Sequence, residues 1–407
     1  MEGCAKVRVA IFTDTFVPQV NGVARTVGRL AEALEARGIT SIVLSPDTGL
    51  KSGHGYCIYF SPGFNFPFYP ECKIAIPNYS DMRRRLDRFK PDLVHLVTEF
   101  SMGLCGLRYA SMAGIPAVGS YHTNLPQYLS YYGFSFLSHW AWKYLRWFHN
   151  RCLINYCPSE SSMRLLEGKG IKNLDIWGRG VDNTFFSPEK RRLSFRTRAE
   201  VARNGTLLLY VGRLAPEKEL DILIGAYCIL RKEYRDINLV ITGGGPMAAK
   251  LMREAPSEVI FTGYLDGEEL AAAYASSDIF VFPSTTETYG NVLLEAMSSG
   301  LPVVAPNSGG VMENLVHRYN GLACRPHSVG DMAEAVVLLK ENPGLRRTLA
   351  EQARAHALTR SWDSVFDRLA EGYYGVVSES ARKCSVKDDS PEKSFKHRLL
   401  EIPEKVK

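Results

Sequence analysis

No stretch of this 407-residue chain reaches the ~18 uninterrupted apolar residues that a bilayer-spanning helix needs. The opening MEGCAKVRVAIFTD also has too short an apolar run for a secretory leader, so a cytoplasmic protein is expected. Cysteine is sparse. Nine residues, an odd number, run from Cys4 to Cys384 with no C-x-x-C, which encodes neither a disulfide framework nor a zinc finger. They read as small buried hydrophobes in a reducing compartment. The glycine fingerprint of dinucleotide-binding turns is missing after Phe12, where the chain continues DTFVPQVNGV, and this argues against a dehydrogenase. There is no G-x-x-x-x-G-K-[ST], and the nine histidines include no H-E-x-x-H or other close pair, so P-loop chemistry and a zinc enzyme are disfavoured too. Nor are any two aspartates spaced Asp-x-Asp. A metal-bridged diphosphate asks for such carboxylates, so a diphosphate bound here is expected to be held by cations and backbone N–H groups without a metal.

What is present is ordinary in amount: 45% hydrophobic, 23% charged and 11% aromatic residues describe a folded globular protein rather than a disordered or fibrous one. The length exceeds what one core serves and predicts two domains. Charge is divided unevenly. Residues 1 to 198 hold 25 Lys and Arg against 15 Asp and Glu, whereas residues 199 to 375 hold 16 against 22. A basic half beside an acidic half predicts that the first faces an anionic surface, either nucleic acid or membrane. No recognised nucleic-acid-binding motif accompanies the basic residues, so no nucleic-acid partner is expected.

Short apolar or β-branched runs alternate with helical-period segments, first in Val7 to Phe12, Ile42 to Ser45, Asp92 to Val97 and Pro116 to Tyr121. The rhythm restarts in Thr206 to Arg213, Asn238 to Gly243, Val259 to Tyr264, Ile279 to Pro283 and Pro302 to Ala305. Repeated βαβ units imply an α/β protein with two Rossmann-like doubly wound domains facing a cleft, with ligands at the carboxyl ends of the strands. The Gly-, Pro- and Arg-rich segment near 179 to 204 separates them. The expected domains are 1–187, on the acceptor side, and 188–375, on the nucleotide-sugar side. A terminal helix at 361–377 would carry Trp362, Val365, Phe366, Leu369 and Tyr373 on one stripe, able to pack back on the first domain, before a charged, flexible tail at 378–407.

The residues with chemical promise lie at predicted strand ends. TLLLYVG runs into Arg213-Leu-Ala-Pro-Glu-Lys218, which offers a guanidinium fork and an ammonium to a pyrophosphate, or equally a surface salt bridge. The turn Gly243-Gly244-Gly245-Pro246 would let backbone approach a ligand closely. The strongest signal is Glu287-Thr-Tyr-Gly-Asn-Val-Leu-Leu-Glu295. Gly290, Asn291 and Val292 should open a helix whose free N–H groups face an anion, while Glu295 could accept from ribose hydroxyls and Glu287 could touch a sugar. Any one of these glutamates could instead sit on a solvated helix face; the set together points to a cleft. His122, ending the predicted strand PAVGSY, is open to both a core and a cleft reading.

With VNGV, SYHTNLPQY, WGRGVD, VGRLAPEK, GGGP, FTGYLDGEEL and the E-x7-E run continuing into EAMSSGLPVVAPNSGG, the chain resembles the retaining GT-B glycosyltransferases of family 4 over roughly residues 6 to 375. Within that family it is most similar to GDP-mannose-dependent mannosyltransferases and to sulfolipid synthases. The resemblance implies a hexosyltransferase using GDP-mannose, or UDP-glucose or another UDP-hexose as the alternative, without an essential metal. Arg213 and Lys218 would bind the diphosphate, Glu295 the ribose and Glu287 the sugar hydroxyls. Gly22 would leave room beside the phosphates, Leu265 would frame the base, and His122 would lie near the anomeric centre. One departure is Gly-Gly-Gly-Pro where many members have Gly-Asp-Gly-Pro.

The acceptor side is read from LPQYLSYYGFSFLSHWAWKYLRWFHNRC, where Trp140 and Trp142 interleave with Lys143 and Arg146, and from Arg83, Arg84 and Arg85 upstream. Rings and cations on one amphipathic segment suit a helix in an anionic bilayer interface, and suit an aromatic core helix as well. A peripheral enzyme on the inner face of the cell membrane with a lipid or polysaccharide acceptor is therefore expected. The competing readings are a sugar-nucleotide epimerase or phosphorylase on the same fold, and an inactive binding protein.

Overall fold

The computed structural model describes residues 6–19, 21–47, 57–66, 69–131, 133–199, 201 and 205–388. The first sheet contains seven strands: β1 (Arg8–Phe12), β2 (Thr40–Pro46), β3 (Cys57–Ser61), β6 (Leu93–Leu96), β7 (Ala117–Ser120), β8 (Ile154–Cys157) and β9 (Leu174–Ile176), with β4 (Gly63–Phe66) and β5 (Tyr69–Ala75) forming a separate antiparallel pair. Its order is β3-β2-β1-β6-β7-β8-β9, all parallel. The second sheet has the parallel order β12-β11-β10-β13-β14-β15, built from β10 (Thr206–Val211), β11 (Ile237–Thr242), β12 (Ile260–Gly263), β13 (Ile279–Val281), β14 (Val303–Pro306) and β15 (Gly321–Cys324). Strands covered by helices on both faces must be apolar along their whole length. β10 meets this with all six residues of TLLLYV buried.

In each sheet the chain reverses its direction of travel at the first strand, β1 between β2 and β6, and β10 between β11 and β13. Outside such a switch point the crossover helices diverge and leave a crevice at the strand ends. The segments leaving β1 and β10 are the ones that carry Gly22 and the Arg213 to Lys218 turn.

The helices α1 (Gly22–Ala36), α2 (Tyr79–Phe89), α3 (Ser101–Ala113), α4 (Leu125–Tyr131) and α5 (Ser138–His149) surround the first sheet. Met82 and Leu86 of α2, Met102 and Leu107 of α3 and Phe148 of α5 share one core, so these three helices lie on one face. On the other face α1 packs with the final helix, Trp362–Asp388, whose Phe366, Leu369, Tyr373 and Val376 join Val9, Ile11, Leu30 and Leu34. Each such side chain contributes about 1.5–3 kcal/mol on burial, so the final helix, which follows the second sheet in sequence, is anchored to the first. His95 on β6 sits among these residues, with Nδ1 2.6 Å from Tyr373 Oη and Nε2 2.6 Å from Ser120 Oγ. Burial holds its pKa down at about 3. A Cβ on Gly180 would stand 2.4 Å from the Trp362 backbone nitrogen, so the two segments crossing between the sheets touch backbone to backbone.

Several elements lack the pattern expected of them. β4, β8 and β15 have four residues each, and β8 places Asn155 in a fully buried position, where its side chain bonds to backbone carbonyls rather than announcing a strand. The charged tail expected from 378 is helical through Asp388, because the final helix simply continues; 389–407 fall outside the described residues.

Candidate active site

Beyond β10 the chain turns through Gly212 and Arg213 and is clamped by the neighbouring strand end: Ser284 and Thr286 each donate a hydroxyl hydrogen bond to the carbonyl of Glu217, at 3.0 and 3.1 Å. Arg213 Nη1 lies 3.5 Å from Glu217 Oε1. Lys218 Nζ contacts Glu287 Oε1 directly, joining the two turns that were singled out separately in the sequence. Burial opposes the ammonium charge, but the Glu287 carboxylate outweighs it and the Lys218 pKa is raised. The cation is thus charged before any ligand arrives.

The adjacent turn is shaped by close approach. A Cβ on Gly243 would stand 1.9 Å from the Gly212 carbonyl oxygen, and Gly243 and Gly245 take φ of +135° and +152°. Gly244 differs: a Cβ there would stand 2.5 Å from the exposed Tyr264 ring, which would have to swing aside. Leu265, half-buried beside Tyr264, packs against the core of the second sheet.

Gly290, at φ +80°, precedes the helix Asn291–Ser298, and no side chain caps that helix. Its first N–H groups are therefore open to an anion. Across the cleft stands the start of α1, where a Cβ on Gly22 would lie 3.8 Å from Asn291 Nδ2. Two helix N-termini, one per domain, thus face each other across the cleft, that of α1 capped by the Asn21 side chain, which accepts from the Ala24 N–H at 2.8 Å. One turn into the second helix, Glu295 accepts from Tyr274 Oη at 2.9 Å. Burial raises the Glu295 pKa, offset by that hydrogen bond and by Arg25 and Arg29 of α1.

His122 follows β7. Arg179 donates to its Nδ1 at 2.6 Å and also to the carbonyls of Trp177 and Gly178 at 2.8 and 2.9 Å. Burial, then the Arg179 charge, push the His122 pKa well down. With Nδ1 occupied as an acceptor, the proton resides on Nε2, a buried atom with no hydrogen-bond partner among the described residues. Thr288, in the Glu287 loop, donates to the His122 carbonyl at 3.3 Å and so ties the two halves of the site together. Arg179 carried no role in the sequence reading. The signal was its place between two glycines in WGRGVD, at the crossing between sheets.

Of the acceptor-side residues, Trp140 is 61% exposed and Lys143 lies 5.2 Å over its ring. Trp142 turns the other way and packs against the core of Leu145, Leu166 and Ile171, so it is not part of an outward aromatic face. Residues two apart on a helix point in different directions. The exposed partners of Trp140 are instead Phe136 and Trp147, and Arg151 stacks 4.3 Å from the Trp147 ring. Arg146 stays exposed. Arg83 pairs with Asp87 at 3.5 Å, and Arg84 and Arg85 with Asp81 at 3.4 and 3.1 Å, so that cluster is partly neutralised by its own helix.

Two parallel α/β domains with cationic and helix-end groups facing each other across a crevice define a nucleotide-sugar transferase of the GT-B type. Residues 20–185 match the model of glycosyltransferase family 4, and residues 194–356 that of the glycosyl transferases group 1. The chain belongs to this glycosyltransferase family and is a hexosyltransferase. It is 36% identical to the GDP-mannose-dependent alpha-mannosyltransferase of Mycobacterium tuberculosis, over 91% of this chain and 97% of that one. It is 28% identical to the alpha-monoglucosyldiacylglycerol synthase of Streptococcus pneumoniae, over 98% and 93%. In fold it matches sucrose-phosphate synthase from Thermosynechococcus elongatus with a TM-score of 0.76 at 18% identity, covering 92% of this chain and all of that one.

Proposed function

We propose that this glycosyltransferase moves a mannosyl unit from GDP-mannose to a hydroxyl of a membrane glycolipid, with retention of configuration. The observation that carries the reading is the contact of the Arg213–Lys218 turn with Glu287, together with two helix N-termini facing each other across the cleft, the second of them uncapped at Asn291, and with Glu295 and the Nε2–H of His122, whose carbonyl Thr288 ties to the Glu287 loop. That set meets a sugar nucleotide piece by piece. Glu295 takes the ribose hydroxyls, and Tyr264 and Leu265 border the base. Arg213, Lys218 and the amides at Asn291 and Val292 hold the diphosphate and stabilise the charge that grows as the glycosidic bond breaks. His122 offers its Nε2–H to the donor sugar, and Glu287 accepts from sugar hydroxyls.

In this reading no side chain acts as a covalent nucleophile: the departing phosphate oxygen takes the proton from the incoming hydroxyl on the same face. Charge on the diphosphate is met by cations and amides rather than by a divalent metal. Among the described residues no three His, Cys, Asp or Glu side chains converge as metal ligands.

The mannose donor is supported by the likeness to mannosyltransferases of that donor, and the lipid acceptor by the likeness to a diacylglycerol glycolipid synthase. The exposed Phe136, Trp140 and Trp147 with Lys143, Arg146 and Arg151 supply a surface for an anionic bilayer, on the same face of the first sheet as α2. No described helix is long and apolar enough to cross a membrane, so attachment in this reading is peripheral. Calorimetric titration with GDP and with UDP, without metal, tests the donor. Selective GDP binding followed by mannosyl transfer to a lipid extract is the expected result; selective UDP binding moves the donor to a UDP-hexose, and binding of neither overturns the site.

A further inference from the structure

Five described residues other than glycine adopt a left-handed backbone, and two of them meet: Glu219 at φ +52° and His327 at φ +58°, with His327 Nδ1 3.0 Å from Glu219 Oε2. Such a conformation costs a side-chain-bearing residue free energy and persists where surrounding contacts over-determine it. At Glu219 those contacts come from three separate elements. Besides His327, Thr285 Oγ1 donates to Glu219 Oε1 at 2.5 Å, and Tyr131 Oη donates to the same oxygen at 2.7 Å. Glu219 is only 7% exposed, so its carboxylate is largely desolvated and has traded water for these partners.

Two of the connections bear on the reaction. Glu219 directly follows Lys218, and Tyr131 ends α4, the helix that begins just after His122. The Tyr131–Glu219 hydrogen bond therefore links the segment carrying the donor-side cation to the segment carrying the histidine of the opposite domain, and Thr285 adds the loop that holds Glu287. A glycine at 219 would adopt the observed φ without strain. A glutamate there gives up backbone ease and gains a bond across the cleft.

We propose that Tyr131 and Glu219 form a clasp that sets the closed, reaction-competent spacing of the two domains, with Glu219 a positioning residue acting through Lys218 and α4. The clasp rests on the donor-site reading above for its effect on turnover, but not for its effect on domain spacing. Removing it leaves the groups that touch the donor in place while allowing His122 and Lys218 to drift apart. The loss should fall on turnover rather than on nucleotide affinity.

The test compares the full-length chain with Tyr131→Phe, Glu219→Gln and Glu219→Gly. Tyr131→Phe is expected to bind GDP within about threefold of wild type while turnover of GDP-mannose falls about tenfold, a loss specific to the catalytic step. Glu219→Gln keeps an acceptor oxygen for Tyr131 and Thr285 and should retain most turnover. Glu219→Gly relieves the left-handed backbone, so its melting temperature should equal or exceed that of wild type while its turnover falls as far as that of Tyr131→Phe. Stability and activity moving apart is a result that a merely structural role cannot produce. Wild-type turnover in both Tyr131→Phe and Glu219→Gly overturns the clasp, and so does a parallel fall of melting temperature, GDP affinity and turnover. If the wild-type chain binds neither GDP nor UDP, the donor reading fails, and small-angle scattering of the unliganded chains decides the clasp alone. A larger radius of gyration in Tyr131→Phe and Glu219→Gly supports it, and an unchanged one overturns it.

Discussion

The guanidinium of Arg179 donates to Nδ1 of His122 at 2.6 Å, joining the crossing segment between the domains to the end of β7. Arg179 is itself fixed by two backbone carbonyls and by the Trp177 ring, 5.0 Å away. The bond selects one tautomer, and burial, reinforced by the neighbouring positive charge, keeps the imidazole from taking a second proton.

His122→Ala is expected to lower turnover by ~10²-fold or more, the usual effect of deleting one preorganised donor. Arg179→Lys should lower turnover by about tenfold with GDP affinity intact, because an ammonium cannot reproduce the planar fork. Steady-state rates beside calorimetry separate the two effects; an unchanged rate in Arg179→Lys would show that the tautomer is set by something else.

Lys218→Ala and Glu295→Ala should each reduce turnover at least ~10²-fold through lost donor contacts. Lys218→Ala also strips Glu287 of its cationic partner, so it should melt earlier than wild type and gain less from added GDP. Thermal melts with and without nucleotide check this, and near-normal rates in either variant would remove these residues from the site.

Replacing Trp140 and Trp147 together by alanine is expected to weaken binding to anionic vesicles while leaving GDP affinity unchanged. Replacing Arg83, Arg84 and Arg85 together should weaken it in a salt-dependent way. The arginine effect should be the smaller, since Asp81 and Asp87 offset part of that charge. Vesicle sedimentation at low and high salt is the measurement; full retention of binding in both variants would leave these side chains as an ordinary solvated face.

Stability should fall as pH drops below about 6. His95 has a folded pKa of about 3 against an ordinary 6.5, so its neutral form contributes stability that is fully present above about 6.5 and is lost as pH falls towards 3. Each pH unit in that window costs about 1.4 kcal/mol for a histidine that takes its proton only on unfolding. Urea unfolding between pH 7.5 and 4 should show a shallower acid slope in His95→Gln, even though that variant starts less stable through its lost bonds to Tyr373 and Ser120.

The fold was largely legible because its signals are local. Apolar runs such as TLLLYV can only be buried strands, and the second round of alternation announced a second sheet. The positions of Arg213, Lys218, Glu287 and Glu295 followed from strand ends, where α/β proteins hold ligands. Trp142 and the shielding of Arg83, Arg84 and Arg85 did not follow. Which side of α5 faces the core is settled by Leu145 and the helix beyond it, and a basic run says nothing of the acids one turn away.

By itself the sequence determined the two-sheet architecture, the strand ends at which chemistry would gather and the family of enzyme, because hydrophobic periodicity and turn chemistry act over a few residues. Only the tertiary structure decided who meets whom: Lys218 with Glu287, Arg179 with His122, Tyr131 with Glu219, Tyr373 with His95. These pairs bring together segments tens to hundreds of residues apart. Their geometry depends on how two separately packed cores are joined, by the crossing at Gly180 and by a terminal helix that leaves one domain to bury its apolar face in the other.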